Sequence, residues 1–368
     1  MKFVIAREAL LKPLNLVAGV VERRQTLAIL ANVQLVLDGQ ELSLTGTDLE
    51  VELIGRVELT TPPESEGEIT VPARKLVDIC KSLPDGSDIE FNLDENRLIL
   101  KSGRSRFTLS TLPAADFPSV EQSDNGQSFS LKQGDIKRLI EKTAFAMAQQ
   151  DVRYYLNGML WEVSEGQLRT VATDGHRLAM CTLTAALDAP NPLQVIVPRK
   201  GVNELTRLLG DENHDAEVMI SANHLRVVTP GFTFTSKLID GKFPDYERVL
   251  PRSSTKTVLG DREALRQAFG RTSILSNEKY RGVRLGLTSG ELKIQANNPE
   301  QEEAEEVVAV DYEGADLEIG FNVSYLMDVL GAVSGETVKL SLSDPNSSAL
   351  LEEIDSEETR YVVMPMRL

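Results

Sequence analysis

The sequence predicts an α+β protein made of three tandem copies of one unit, and three markers with a shared period predict it. The first marker is a strand running into a helix, at Val71-Pro72-Ala73-Arg74-Lys75-Leu76, Val197-Pro198-Arg199-Lys200-Gly201-Val202 and Phe321-Asn322-Val323-Ser324-Tyr325-Leu326; the starts lie 126 and 124 residues apart. The second is an alternating hairpin over Val33–Asp48, Met159–Asp174 and Val283–Asn298, turning at Asp38-Gly39, Glu165-Gly166 and Ser289-Gly290. The third is a late strand holding Phe107, Phe234 and Tyr361, spaced by 127 and 127.

Each copy opens with a helical pattern: Glu8-Ala9-Leu10-Leu11-Lys12-Pro13-Leu14, then Asp135-Ile136-Lys137-Arg138-Leu139-Ile140-Glu141, then Arg262-Glu263-Ala264-Leu265-Arg266-Gln267-Ala268-Phe269. One unit is therefore two helices with several alternating strands. Turn and breaker residues gather at Ser123-Asp124-Asn125-Gly126 and Pro251-Arg252-Ser253-Ser254-Thr255, which sets domains at 1–126, 127–254 and 255–368.

With 368 residues, 41% hydrophobic, the chain is long enough for several cores. Two cysteines, Cys80 and Cys181, point to a reducing compartment without a disulfide framework. Charges at Lys2, Arg7 and Glu8 interrupt any signal-peptide core, and no run of eighteen apolar residues occurs, so the expected location is cytoplasmic.

A net charge of -17 disfavours gripping nucleic acid by bulk attraction. The charge is unevenly spread. The six helical segments (7–24, 74–81, 132–153, 199–207, 261–284, 321–333) sum to +10, leaving -27 for the rest. Helices that all faced one way would make a basic surface backed by an acidic one, as enclosing a polyanion requires.

Thr173-Asp174-Gly175 reads as a turn of the repeat, because Asp48 and Asn298 hold the same place. His176-Arg177 has no such parallel, the other copies carrying Leu49-Glu50 and Pro299-Glu300, and the chain closes on an apolar tail with Met364, Pro365, Met366 and Leu368. Methionine suits adaptable peptide-binding surfaces. The three histidines, His176, His214 and His224, form no His-Glu-x-x-His, and no phosphate-binding glycine loop or nucleophile elbow occurs, so neither metal nor cofactor is expected. Two rival readings stay open on the residues alone: a hydrolase with a carboxylate pair at a domain junction, and a peptide-binding scaffold that never meets DNA.

The threefold unit, with Thr173-Asp174-Gly175-His176-Arg177-Leu178, Phe243-Pro244-Asp245-Tyr246, Asn297-Asn298-Pro299-Glu300-Gln301-Glu302-Glu303 and Met364-Pro365-Met366-Arg367-Leu368, closely resembles the bacterial sliding clamps, the beta subunits of DNA polymerase III. The resemblance runs the full chain. It implies three DNA-clamp domains per protomer and a head-to-tail homodimer closing a six-domain ring around duplex DNA. It implies a non-catalytic processivity factor that tethers the polymerase.

The resemblance also places sites. DNA contacts fall on Arg24, Gln150, Tyr154, Tyr155, Arg199 and Lys200, suited to a phosphate backbone met without sequence preference. A peptide pocket falls on Leu156, Thr173, Gly175, His176, Arg177, Leu178, Pro244, Arg248, Val249, Val362, Met364, Pro365, Met366 and Arg367. Its expected occupants are the polymerase III catalytic subunit, the clamp loader, and other polymerases and repair proteins, in competition. The dimer interface falls on Arg104, Arg106, Phe107 and Leu109 against Ile274, Leu275, Glu303 and Glu306.

Overall fold

The computed structural model describes the chain except residues 22–26, 121–125, 188–190, 211, 253, 355 and 368. One order of elements, strand, helix, four strands, helix, three strands, occurs three times among the described residues. Repeat 1 holds β1 (Lys2–Ala6), α1 (Arg7–Ala18), β2 (Asn32–Asp38), β3 (Glu41–Thr47), β4 (Val51–Glu58), β5 (Gly67–Pro72), α2 (Ala73–Ser82), β6 (Asp88–Asp94), β7 (Arg97–Ser102) and β8 (Ser105–Ser110). Repeat 2 holds β9 (Gln127–Lys132), α3 (Gln133–Thr143), β10 (Gly158–Ser164), β11 (Gln167–Thr173), β12 (Arg177–Thr184), β13 (Leu193–Pro198), α4 (Arg199–Leu208), β14 (Asp215–Ile220), β15 (His224–Val228) and β16 (Phe232–Lys237). Repeat 3 holds β17 (Lys256–Asp261), α5 (Arg262–Thr272), β18 (Gly282–Thr288), β19 (Glu291–Asn297), β20 (Glu303–Ala309), β21 (Leu317–Asn322), α6 (Val323–Ala332), β22 (Thr337–Leu342), β23 (Ala349–Glu353) and β24 (Thr359–Val363).

Local chemistry explains the punctuation. The three hairpins that open the strand runs turn through Gly39, Gly166 and Gly290, at φ 57°, 72° and 77°, a left-handed conformation that side chains resist. The α2 helix buries Ala73, Leu76, Val77 and Cys80 at helical spacing and exposes Arg74, Lys75 and Lys81. Asp261 caps α5 by accepting from the Ala264 amide (2.7 Å), and Asn322 caps α6 by accepting from the Ser324 amide (2.9 Å).

Contacts group the chain into two compact units, Met1–Gly134 with Asn203–Leu238, and Asp135–Val202 with Ile239–Leu368. In the first, an eight-stranded antiparallel sheet runs β5-β2-β3-β4-β16-β15-β14-β9, and a four-stranded sheet runs β1-β6-β7-β8. The last strand of repeat 2 thus zips onto the third hairpin strand of repeat 1, Phe234 facing Leu53 and Ser236 facing Val51. Helix α1 lies so close to this sheet that a Cβ on Gly55 would stand 2.9 Å from Pro13 Cβ, and one on Gly46 2.8 Å from a Val17 methyl. The second unit repeats the plan with β13-β10-β11-β12-β24-β23-β22-β17 and β20-β19-β18-β21. Its seam pairs Arg177 with Val363 and Ala179 with Tyr361, over a core that includes Trp161, Tyr361 and Phe321.

Among the described residues β8 and β20 end their four-stranded sheets without a further strand. They are the counterparts, in repeats 1 and 3, of the strands that zip at the two seams.

Candidate functional site

At the β12–β24 seam, strands from repeats 2 and 3 build an apolar cluster. Leu160, Val171, Leu178, Met180, Ile196, Phe243, Tyr246 and Val362 form its buried part, with Tyr155, Ile239, Val249, Leu250 and Leu350 packed half-buried against it. Of the residues expected in the pocket, Leu178, Val249 and Val362 belong to this cluster, and Leu156 is buried two residues ahead of β10. Pro244 is exposed and lines a cleft of about 360 Å³ with Phe243 and Tyr246. Arg248 is exposed and pairs with Asp245 at 2.7 Å.

The turn ahead of β12 is held by its own side chains. The Thr173 hydroxyl donates to the Arg177 carbonyl (2.6 Å), and Asp174 Oδ1 accepts from the His176 (2.9 Å) and Arg177 (3.0 Å) amides. Repeat 1 uses the same bonds at Thr47 and Asp48, so this turn is architecture. What differs is the payload. Arg177 sends its guanidinium to Asp174 Oδ2 (3.2 Å), the Phe145 carbonyl (2.8 Å) and Asp328, and lies 4.5 Å from the Tyr325 ring centroid. The His176 ring stacks on the same tyrosine, at 6.4 Å between centroids. Phe145, Tyr325 and Asp328 lie outside the expected set; in sequence they read as ordinary helix residues.

The chain end extends the seam. The Met364 amide donates to the His176 carbonyl (2.9 Å) and the Met366 amide to the Gly320 carbonyl (2.8 Å), while Met364 Sδ accepts from the Ser348 hydroxyl (2.9 Å). Met364, Pro365 and Met366 are half-buried and Arg367 is exposed. The flexible thioethers of Met364 and Met366 are therefore not locked in a core.

The expected DNA contacts divide. Arg24 lies outside the described residues. Gln150, Tyr154 and Tyr155 lie on one loop, and Arg199 at the start of α4 is tied to it: its guanidinium donates to the Met147 carbonyl (3.0 Å) and its amide to the Asn157 carbonyl (2.9 Å), while within the loop the Ala148 amide donates to the Leu156 carbonyl (3.0 Å). Lys200 follows on α4, half-buried. Tyr154 and Tyr155 stand in a 3-10 turn, Tyr154–Leu156. That geometry sends Tyr154 outward, 57% exposed, and Tyr155 onto the apolar cluster. Arg153 steadies the loop through Asp151 (3.0 and 2.9 Å) and the Asp174 carbonyl (3.3 Å). Its hydrogen bond holds the Asp151 carboxyl down at about 2.

Among the described residues the basic excess of the helices is partly neutralised by ion pairs within the chain, largely buried only at Lys142–Glu353. Arg138 pairs with Glu358, Lys142 with Glu353 (3.1 Å), Arg207 with Glu204 (2.7 Å) and Arg271 with Glu306 (2.6 Å). Arg74, Lys75 and Lys81 on α2 and Arg266 on α5 stay exposed.

At the sheet ends, Arg104 and Arg106 are exposed, Phe107 is half-buried and Leu109 is buried at 7% exposure, already packed in its own sheet. Ile274 is 75% exposed and Leu275 half-buried, both in a 3-10 turn after α5. Glu303 is exposed, whereas Glu306 is engaged by Arg271, which lowers its pKa.

Fold and seam together define a three-repeat α+β clamp protein with an apolar cluster beside a small cleft at its second seam. Residues 1–121, 130–245 and 247–367 match, in turn, the N-terminal, central and C-terminal domains of the DNA polymerase III beta subunit. Over the whole of both chains the sequence is 66% identical to the beta sliding clamp of Pseudomonas putida and 54% identical to that of Escherichia coli K12. A solved sliding clamp from Pseudomonas aeruginosa bound to griselimycin superimposes with a TM-score of 0.98 at 65% identity, covering all of both chains. The chain belongs to the DNA polymerase III beta subunit family, the bacterial beta sliding clamps. It is a non-catalytic processivity factor of DNA replication. Among the described residues no cluster of His, Cys, Asp and Glu fit for a metal occurs, and no helix is long and apolar enough to cross a membrane.

Proposed function

We propose that two copies close head to tail into a six-domain ring around duplex DNA, β20 of each pairing with β8 of the other. The observation that carries this reading is internal: the chain joins a last strand to a third hairpin strand twice, at β4–β16 and β12–β24, and leaves one strand of each kind at an open sheet edge. A heterologous contact of this kind must close or polymerise, and an unpaired edge is a liability that closure removes. Arg104 and Arg106 then meet Glu303 and neighbouring acids, and exposed Ile274 with Leu275 gains cover from Phe107.

Encirclement reconciles DNA association with a net charge of -17, because a ring holds its duplex by topology and needs only weak contacts. Tyr154, Gln150, Arg199, Lys200 and Arg24 supply such contacts. The pocket at the β12–β24 seam takes a short peptide from the polymerase III catalytic subunit, the clamp loader, or other polymerases and repair proteins, so that one partner displaces another. Holding the polymerase to the ring raises its effective concentration at the primer end. The protein works in the cytoplasm without a cofactor of its own.

Deleting Met364 to Leu368 tests the pocket: binding of a polymerase-derived peptide is lost while the dimer persists in gel filtration. Retained peptide binding, or a monomer, assigns the tail to structure instead.

A further inference from the structure

The seam that occurs twice in this chain is finished in two ways. At the β12–β24 seam the notch bounded by α3, the end of α6 and the β23–β24 turn is plugged by charge. There Arg138 pairs with Glu358, and Lys142 reaches Glu353 (3.1 Å) and the Ala332 carbonyl (2.5 Å). The 126-residue period that aligns the hairpins of repeats 1 and 2 places Lys12 where repeat 2 has Arg138, and Leu16 where it has Lys142.

At the β4–β16 seam the plug is therefore missing, and the turn facing it is the short Thr229-Pro230-Gly231. A groove of about 620 Å³ remains between α1, the end of α4 and that turn, within the usual range for ligand sites. Pro13, Leu16, Leu208 and Phe232 make its floor, with Phe232 and Leu208 only 4% and 7% exposed. Lys12, Arg56 and His214 stand on its rim, and Lys12 is exposed. Arg56 is anchored by donating to the Thr233 hydroxyl (2.9 Å), with Glu41 at 3.7 Å. Among the described residues that line the groove none is an aspartate or glutamate, in a chain whose net charge is -17.

We propose that this groove is a second docking site, for a short extended segment of a partner protein carrying two apolar side chains flanked by carboxylates. The apolar floor offers nothing to a phosphate backbone, whereas it rewards burial of Leu or Phe side chains. On the rim the exposed Lys12, with Arg56 only partly offset by Glu41, complements acidic flanks and repels basic ones. In an extended segment, residues two apart share a face, so the occupant reads acid, apolar, small, apolar, acid.

The test uses the full-length chain and a fluorescein-labelled peptide, Asp-Asp-Leu-Ser-Phe-Asp-Asp, read by fluorescence polarisation. Binding is expected, weakened at least ten-fold by Leu16→Lys, which puts a charge into the apolar floor, and about as much by Lys12→Glu, an exposed position that leaves folding alone. The same peptide with lysines for its aspartates is expected not to bind. Absence of binding, equal binding of the lysine peptide, or affinity unchanged in both variants overturns the proposal; the last result would place the peptide in the β12–β24 pocket.

Discussion

Replacing Arg177 by alanine tests whether the second seam is held by one guanidinium. This side chain is 12% exposed. It bridges β12 to Phe145 and, through Asp328 and Tyr325, to α6. A hydrogen bond to a charged group contributes about 1.5–3 kcal/mol when buried, which covers the Phe145 carbonyl. Asp328 is 46% exposed, so that pair is held to about 0.5–1 kcal/mol. Stacking on Tyr325 adds about 1 kcal/mol. Together these sum to about 3–5 kcal/mol, and the loss lies at the lower end, about 3 kcal/mol, because water re-enters beside the half-exposed Asp328. Amide hydrogen exchange at Leu178–Cys181 and Tyr361–Val363 reads the seam directly. About 1.4 kcal/mol corresponds to each factor of ten in protection, so the variant should exchange on the order of a hundred-fold faster. Arg177→Lys should recover less than half of this, since an ammonium lacks the planar fork. A change below five-fold in the alanine variant would refute the idea that Arg177 holds the seam.

Two further outcomes are expected. Ile274→Ala combined with Leu275→Lys places a charge at the exposed 3-10 turn and should yield a folded monomer by analytical ultracentrifugation; a persistent dimer places the interface elsewhere. The Asp151 carboxyl, depressed to about 2 by Arg153, should keep its loop bonds above the ordinary carboxylate range, about pH 4, and lose them as pH falls through about 2. A carbon-13 titration should show that low midpoint, and Arg153→Ala should raise it towards the ordinary value. An ordinary midpoint in the unaltered chain would remove Arg153 as the cause.

The threefold plan was legible because it rests on features local in sequence: a glycine turn between alternating strands and a strand entering a helix. At the second seam the sequence marks only the departures from the repeat, His176-Arg177 and the methionine tail. Leu160, Val171, Met180 and Ile196 carry no such mark, since an apolar residue in a strand looks the same under a cleft as under a core. Charge was the least legible. Arg138 and Lys142 count towards a basic helical face, yet they end on Glu358 and Glu353, more than two hundred residues away. In β8, alternation alone does not tell that Leu109 is buried in its own sheet while Phe107 is half-buried and Arg104 and Arg106 are exposed.

Topological binding is tested most directly by loading the protein onto nicked circular DNA with its cognate loader, washing in high salt, and then cutting the circle with a restriction enzyme. A closed clamp stays on the intact circle and leaves when the circle is linearised. Loss from the intact circle in high salt would contradict encirclement and assign the DNA association to ordinary electrostatic contact.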